Sequence, residues 1–159
     1  MISWVTENLA IGELSDIEPE IIEAHKIDAI LNLMVHENYS CYDLVIHRSG
    51  YCHAPVGVTN PDDNLAKFQT ECNYAVNSLQ VLSERGYKRI LVHCVAGMDR
   101  SPFVVAIRLV RDGFCESYTD AFALIKKARP FALEHSEWWH ENWGLKYSVT
   151  VSPKERNGQ

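Results

Sequence analysis

An apolar run of roughly 18 residues, the length of a membrane-crossing helix, is missing from this 159-residue chain. Its amino-terminal stretch also lacks the basic segment and apolar core of a secretory signal, so the cytoplasm is the expected compartment. Cysteine is sparse and unpaired in pattern: residues 41, 52, 72, 94 and 115 are five, an odd number without close spacing, which predicts neither a disulfide framework nor a zinc site. Positive charge is not in excess. With 15 Lys and Arg against 21 Asp and Glu, the formal net charge of −6 argues against a general nucleic-acid surface. No linker-like stretch and no repeat divides the chain, which is long enough for a substantial core. The expectation is one body over residues 1–150, with 151–159 a frayed tail. No stable membrane insertion, metal or cofactor is expected, and oligomeric state is left open.

What is present alternates. Residues 8–12 and the apolar stretch 27–33 read as strands, separated by a short helix over 17–26 that starts after Ser15-Asp16 and tolerates Pro19 in its first turn. Residues 43–47 and 51–56 suit strands near an edge, since Pro55 disfavours a central position. From Leu65 the apolar positions 65, 68, 72, 75, 76, 79 and 82 follow a helical period that Gly86 stops. Residues 89–93 form the next strand and 102–111 the helix behind it, ended by Gly113. Ser117 to Asp120 can start another helix, with Ala121, Leu124, Ile125 and Ala128 on its buried side, and a last helix is expected over 133–143. This is an α/β pattern: a central, mostly parallel sheet flanked by helices.

The most specific feature is His93-Cys94-Val95-Ala96-Gly97-Met98-Asp99-Arg100-Ser101-Pro102. The strand delivers Cys94 to a sheet edge, and a turn at Gly97 lets backbone N–H groups of Val95, Ala96, Gly97, Met98 and Asp99 converge. A helix starting near Ser101 adds its positive end, completing an anion-binding nest. Such a nest, with Arg100 beside it, favours thiolate over thiol at Cys94. Arg100 offers a donor fork to two phosphoryl oxygens, which lysine cannot match. Ser101 is placed to donate to the sulfur when it leaves. His93 reads as a buried structural ring that fixes backbone groups under the loop. A nucleotide-binding loop is excluded, because no Gly-Lys-Ser/Thr follows the glycine.

The segment resembles the His-Cys-x5-Arg-Ser signature of the cysteine-dependent protein phosphatases, in particular the small dual-specificity group. Asn8-Leu9-Ala10-Ile11-Gly12, Ile27-Asp28-Ala29-Ile30-Leu31-Asn32-Leu33, and Ala121 to Ile125 followed by Arg129-Pro130 are similar to that group's flanking elements, so the likeness covers residues 2–145. It implies a phosphomonoesterase that works through a phosphocysteine without metal or cofactor, within a dual-specificity phosphatase-like catalytic domain. The implied substrate is a phosphorylated protein; a phosphoinositide headgroup or other small phosphorylated molecule is the alternative. A catalytically weak phosphate-binding module is a third reading.

Two departures from the family pattern matter. After a Pro-apolar pair like Pro55-Val56 the resembling enzymes carry a proton-donating acid, but the matching positions are Val58 and Thr59. Asp62 and Asp63 are the nearest carboxylic acids; either is a candidate general acid, and either is also suited to cap the helix that follows. Asp99 is the second departure, since Gly-x-Asp-Arg resembles the loop of phosphoinositide phosphatases and of some bacterial enzymes of mixed specificity. A carboxylate facing the phosphate would repel it, so Asp99 must point outward, contact a basic or hydroxyl-rich substrate, or serve as an alternative acid. Arg108, Arg111, Lys126, Lys127 and Arg129 are candidates for a basic steering face, or simply solvated helix exteriors. Two cysteines could protect Cys94 by a disulfide, with no partner singled out. In the cluster Trp138, Trp139 and Trp143, helical spacing would leave 138 or 139 exposed to a partner.

Overall fold

The apolar pairs Ala10-Ile11, Ile30-Leu31 and Leu91-Val92 lie on strands buried on both faces, and each pair sends its two side chains to opposite sides. A computed structural model, describing residues 1–36, 49–57, 60–140 and 143, shows how. The strands are β1 (Ser3–Trp4), β2 (Leu9–Gly12), β3 (Ala29–Asn32), β4 (Gly50–His53) and β5 (Ile90–His93), and they form one sheet in the order β1-β2-β5-β3-β4. Only β1 runs antiparallel to its neighbour; β2, β5, β3 and β4 are mutually parallel. Near-continuous apolar strands of this kind need both faces covered.

Helix α1 (Pro19–Ala24) covers one face, against Ile2, Ala10, Ile17, Ile30, Met34 and Leu91. On the other face lie α2 (Leu65–Glu84), α3 (Arg100–Arg111) and α4 (Tyr118–Ala128). Residues 101–107 of α3 are buried without interruption, the mark of a helix packed on all sides. Pro102 fits its first turn, where the missing N–H had no intrahelical acceptor. Because β5 is the middle strand and α3 follows it after one loop, that loop opens at the carboxyl end of a parallel sheet, where ligands of α/β folds sit.

Several expectations are corrected. The strands are shorter than their apolar stretches: 27–33 contracts to Ala29–Asn32, and 51–56 becomes Gly50–His53, ending before Pro55. Leu65 is 54% exposed, so the buried stripe of α2 begins at Phe68. On α4, Leu124 and Ala128 are half-buried, while Tyr118 and Phe122 join Ala121 and Ile125 in the core. In place of the helix expected over 133–143, the described residues 133–140 carry a 3-10 turn, Ser136–Trp138, and the neighbouring tryptophans, which one helical face cannot both bury, take separate docking sites. Trp138 packs edge-on against Phe68 and Phe103, and Trp139 stacks on Tyr118 at 4.8 Å. Both are half-buried against the core, so neither is left over as an exposed platform. The strand expected over 43–47, Val58 and Thr59, Cys41 and the 151–159 tail lie outside the described residues.

Candidate active site

Cys94 follows β5 directly and is 2% exposed. The peptides after it are oriented by what their carbonyls meet. His93 Nδ1 donates to the Cys94 carbonyl at 3.1 Å. The Leu14 N–H donates to Val95 O at 2.9 Å, and Leu133 N–H to Met98 O at 2.8 Å. Arg129 reaches Gly97 O through Nε at 2.7 Å and Ala96 O through Nη2 at 3.4 Å. Phe103 N–H closes the set on Asp99 O at 3.2 Å. In a trans peptide the N–H points opposite to the C=O. Carbonyls held outward from Cys94 to Asp99 therefore turn the N–H groups of Val95, Ala96, Gly97, Met98, Asp99 and Arg100 toward the other side. Gly97 makes the bend at φ +67°, and a Cβ there would come within 2.5 Å of Gly12 O and 2.6 Å of Arg129 Nη2. Only glycine meets both demands.

The thiol responds to this surround. Burial pushes Cys94 up, but the Ser101 hydroxyl at 3.3 Å, the Ser101 N–H, the Arg100 guanidinium and the Gly97 N–H together leave it below its ordinary value. His93 is fully buried, and burial lowers its pKa from 6.5 to about 4, so the ring is neutral at neutral pH. Arg100 is half-buried and donates from Nη1 to the Val56 carbonyl at 3.1 Å, joining the loop to the segment after β4. The cradle is thus a set of converging N–H dipoles, a guanidinium and a sulfur biased toward thiolate, suited to a tetrahedral dianion.

The remaining candidates are placed as follows. Asp62 and Asp63 are exposed on a turn ahead of α2. Neither caps the helix: that part belongs to Asn64, whose side chain accepts the Lys67 N–H at 3.1 Å. Asp99 is half-exposed and meets His135 Nε2 through Oδ1 at 2.6 Å. The basic steering face is not assembled. Arg129 is fully buried, holding Met1 O and Ser3 Oγ through Nη1 as well as the loop. Arg108 bonds Asp112 and Gln80, and Arg111 is buried against Asn73 and the Trp143 carbonyl. These two lie at the far end of α3, about 12 to 16 Å along the axis from Arg100. Lys126 and Lys127 are exposed, with Lys126 Nζ on Pro130 O. Around the loop the exposed side chains include Val95 in the loop itself and Leu133, whose N–H holds Met98. Phe131 lies under the Arg129 guanidinium, and Val35 stands beside Gly57. Cys52, Cys72, Cys94 and Cys115 are thiols.

Sequence reasoning missed Arg129 as the loop's clamp, and it missed His135. The outward carbonyls of a nest demand donors, and Arg129, carried just past the end of α4, was the residue to ask about.

Among the described residues no group of three or more His, Cys, Asp or Glu is gathered to hold a metal, and no helix is long and apolar enough to cross a membrane. Protein tyrosine phosphatase type IVA 3 of human, cattle and mouse is 34% identical over 67 residues. That is 42% of this chain, and it spans about a third of the relatives' length (34%). Among solved structures, a mouse protein assigned as a dual specificity phosphatase and crystallised with zinc tungstate superposes with a TM-score of 0.73 at 20% identity, covering 94% of this chain and 89% of that one. Human DUSP28 superposes with a TM-score of 0.67 at 20% identity, over 94% and 95% of the two chains. These last two share the fold. The profile of the dual specificity phosphatase catalytic domain matches residues 9–142, from β2 through the cradle to the tryptophan segment, and the chain therefore belongs to that family of cysteine-based phosphatases.

Proposed function

We propose that the chain hydrolyses phosphomonoesters on proteins, at tyrosine and also at serine or threonine, through a phosphocysteine formed on Cys94. The observation that carries this is the outward anchoring of the loop's carbonyls, which leaves N–H groups and Arg100 facing a sulfur below its ordinary pKa. In the first step Cys94 Sγ donates an electron pair to phosphorus; the P–S bond forms as the ester P–O bond breaks. The leaving oxygen takes a proton from a carboxylic acid, for which Asp62 and Asp63 are the candidates. Water then attacks phosphorus, giving a proton back to that carboxylate, the P–S bond breaks, and the Ser101 hydroxyl steadies the departing thiolate. Arg100 binds two equatorial oxygens throughout and gains strength as charge spreads onto them.

Two features support a protein substrate over a polyphosphorylated headgroup. Among the described residues, the exposed side chains on the loop and beside the segment after β4, Val95 and Val35, are apolar, whereas a headgroup with several phosphates calls for several cations. Asp99 is already paired with His135, so the one carboxylate of the loop does not face substrate hydroxyls.

The test is hydrolysis of phosphotyrosyl and phosphothreonyl peptides beside soluble phosphoinositides, with Cys94→Ser and Arg100→Lys as variants. Cys94→Ser is expected to abolish turnover yet still bind tungstate; Arg100→Lys keeps the charge but loses the fork, and activity falls with it. A headgroup preferred tenfold or more in kcat/KM, about 1.4 kcal/mol of transition-state stabilisation, would overturn the protein-phosphatase reading. Turnover surviving in Cys94→Ser would overturn the nucleophile.

A further inference from the structure

The loop holds one negative side chain. Asp99 directly precedes Arg100 and lies five residues beyond the nucleophile, where an unconstrained carboxylate would oppose a phosphate dianion. It is not unconstrained. His135 Nε2 meets Asp99 Oδ1 at 2.6 Å, and its Nδ1 meets Glu137 Oε2 at 3.2 Å. The imidazole lies flat on Trp138, 3.7 Å between ring centres and 7° between planes. Trp138 is itself wedged edge-on against Phe68 of α2 and Phe103 of α3. Two residues before the histidine, Leu133 N–H takes the Met98 carbonyl. The segment carrying His135 therefore runs along the side of the loop to which the carbonyls point, opposite the converging N–H groups.

We propose that His135 is a positioning residue that draws the Asp99 carboxylate to the outer flank of the loop and so keeps its charge away from the phosphate cradle. The inference rests on the reading of the 94–100 loop as that cradle. The ring has rigid support on one face and a second carboxylate, Glu137, to orient it. Other ionisable groups close to this segment are Glu134 and the buried Tyr118 hydroxyl on α4.

The experiment reads the field at the Cys94 sulfur without requiring turnover. Iodoacetate is an anion and iodoacetamide is neutral, and their alkylation rates at Cys94, mapped by mass spectrometry in the full chain, give a ratio that falls when negative charge approaches the sulfur. His135→Ala is expected to lower that ratio about two- to fivefold, the size of a partly screened charge interaction, and added salt should shrink the change. In an Asp99→Asn background the same His135→Ala change should leave the ratio unaltered. His135→Gln, whose amide Nε2 can stand in for the ring Nε2, should keep the parent ratio.

An equal drop with and without Asp99 would overturn the proposal and leave His135 as packing for Trp138. So would an unchanged ratio in His135→Ala, or a His135→Gln variant as low as alanine. Thermal melting of each variant separates these results from unfolding. Absence of phosphatase activity would count against the proposed function alone, since the ratio is measured on the resting thiol.

Discussion

Two segments meet at Arg100, and they are held in opposite ways. The 94–100 loop has its carbonyls from Cys94 to Asp99 taken by a buried ring, a buried guanidinium and the backbones of Leu14, Phe103 and Leu133. The segment after β4 runs beside β3 through Ala54 N–H on Asn32 O and Val56 N–H on Leu33 O, meets α2 where Gly57 N–H donates to Glu71 at 2.9 Å, and offers Val56 O to Arg100. Beyond that, Asp62 and Asp63 sit exposed on a turn in which their N–H groups donate to the Asn60 side chain and carbonyl. Rigidity is concentrated where the chemistry needs fixed dipoles. A cradle works by preorganised dipoles and loses its value if they turn; a proton donor can arrive with the substrate.

If the cradle is fixed from outside, its outer supports are worth more than their distance from the reaction suggests. Arg129→Leu should cost about 3–5 kcal/mol of stability, because it breaks the ion pair with Glu13 and strands the acceptors at Gly97, Ala96 and Met1. Urea unfolding measures this, and a loss under 1 kcal/mol would show that the loop keeps its shape without the clamp.

His93 offers the next largest effect, and it depends on pH. The unfolded ring takes a proton near its ordinary 6.5, whereas the buried ring resists until about 4. Stability from this group is therefore complete above the unfolded value and is lost as pH falls from 6.5 toward 4, by roughly 3 kcal/mol in all. In His93→Asn, whose amide can still donate to the Cys94 carbonyl but does not titrate, that acid limb should flatten. An identical limb in both proteins would assign the acid sensitivity elsewhere.

On the loosely held side, the expected change is kinetic. Asp62→Asn should lower kcat roughly 100-fold on an alkyl phosphate, whose leaving oxygen needs protonation, and far less on p-nitrophenyl phosphate. The alkaline fall in kcat should disappear with it. Asp63→Asn is the matched comparison; a reversed pair of results moves the role to Asp63, and two near-normal enzymes remove both.

The same contrast explains what could be read from the amino-acid order. Strand, cysteine, glycine turn, arginine and helix are contiguous, so the sequence exposes the cradle's inner surface and the α/β sheet behind it. Its outer supports come from residues 14, 129 and 133, distant in sequence, and an arginine that will be buried has the same spelling as one that will be solvated. Nor does periodicity reveal that the Leu133 N–H will hold a loop carbonyl, or that two neighbouring tryptophans will dock on different partners. Asn64 took the capping role that Asp62 and Asp63 were equally suited to, because three similar candidates stand in a row.

If this cradle presents phosphorus to Cys94, rapid acid quench during turnover of a labelled aryl phosphate, followed by peptide mass spectrometry, should find phosphate on the peptide carrying Cys94, appearing within the first turnover and absent from Cys94→Ser. Steady hydrolysis with no phosphocysteine, under conditions where a control phosphothiolate survives the quench, would show that phosphorus is not passed to the sulfur.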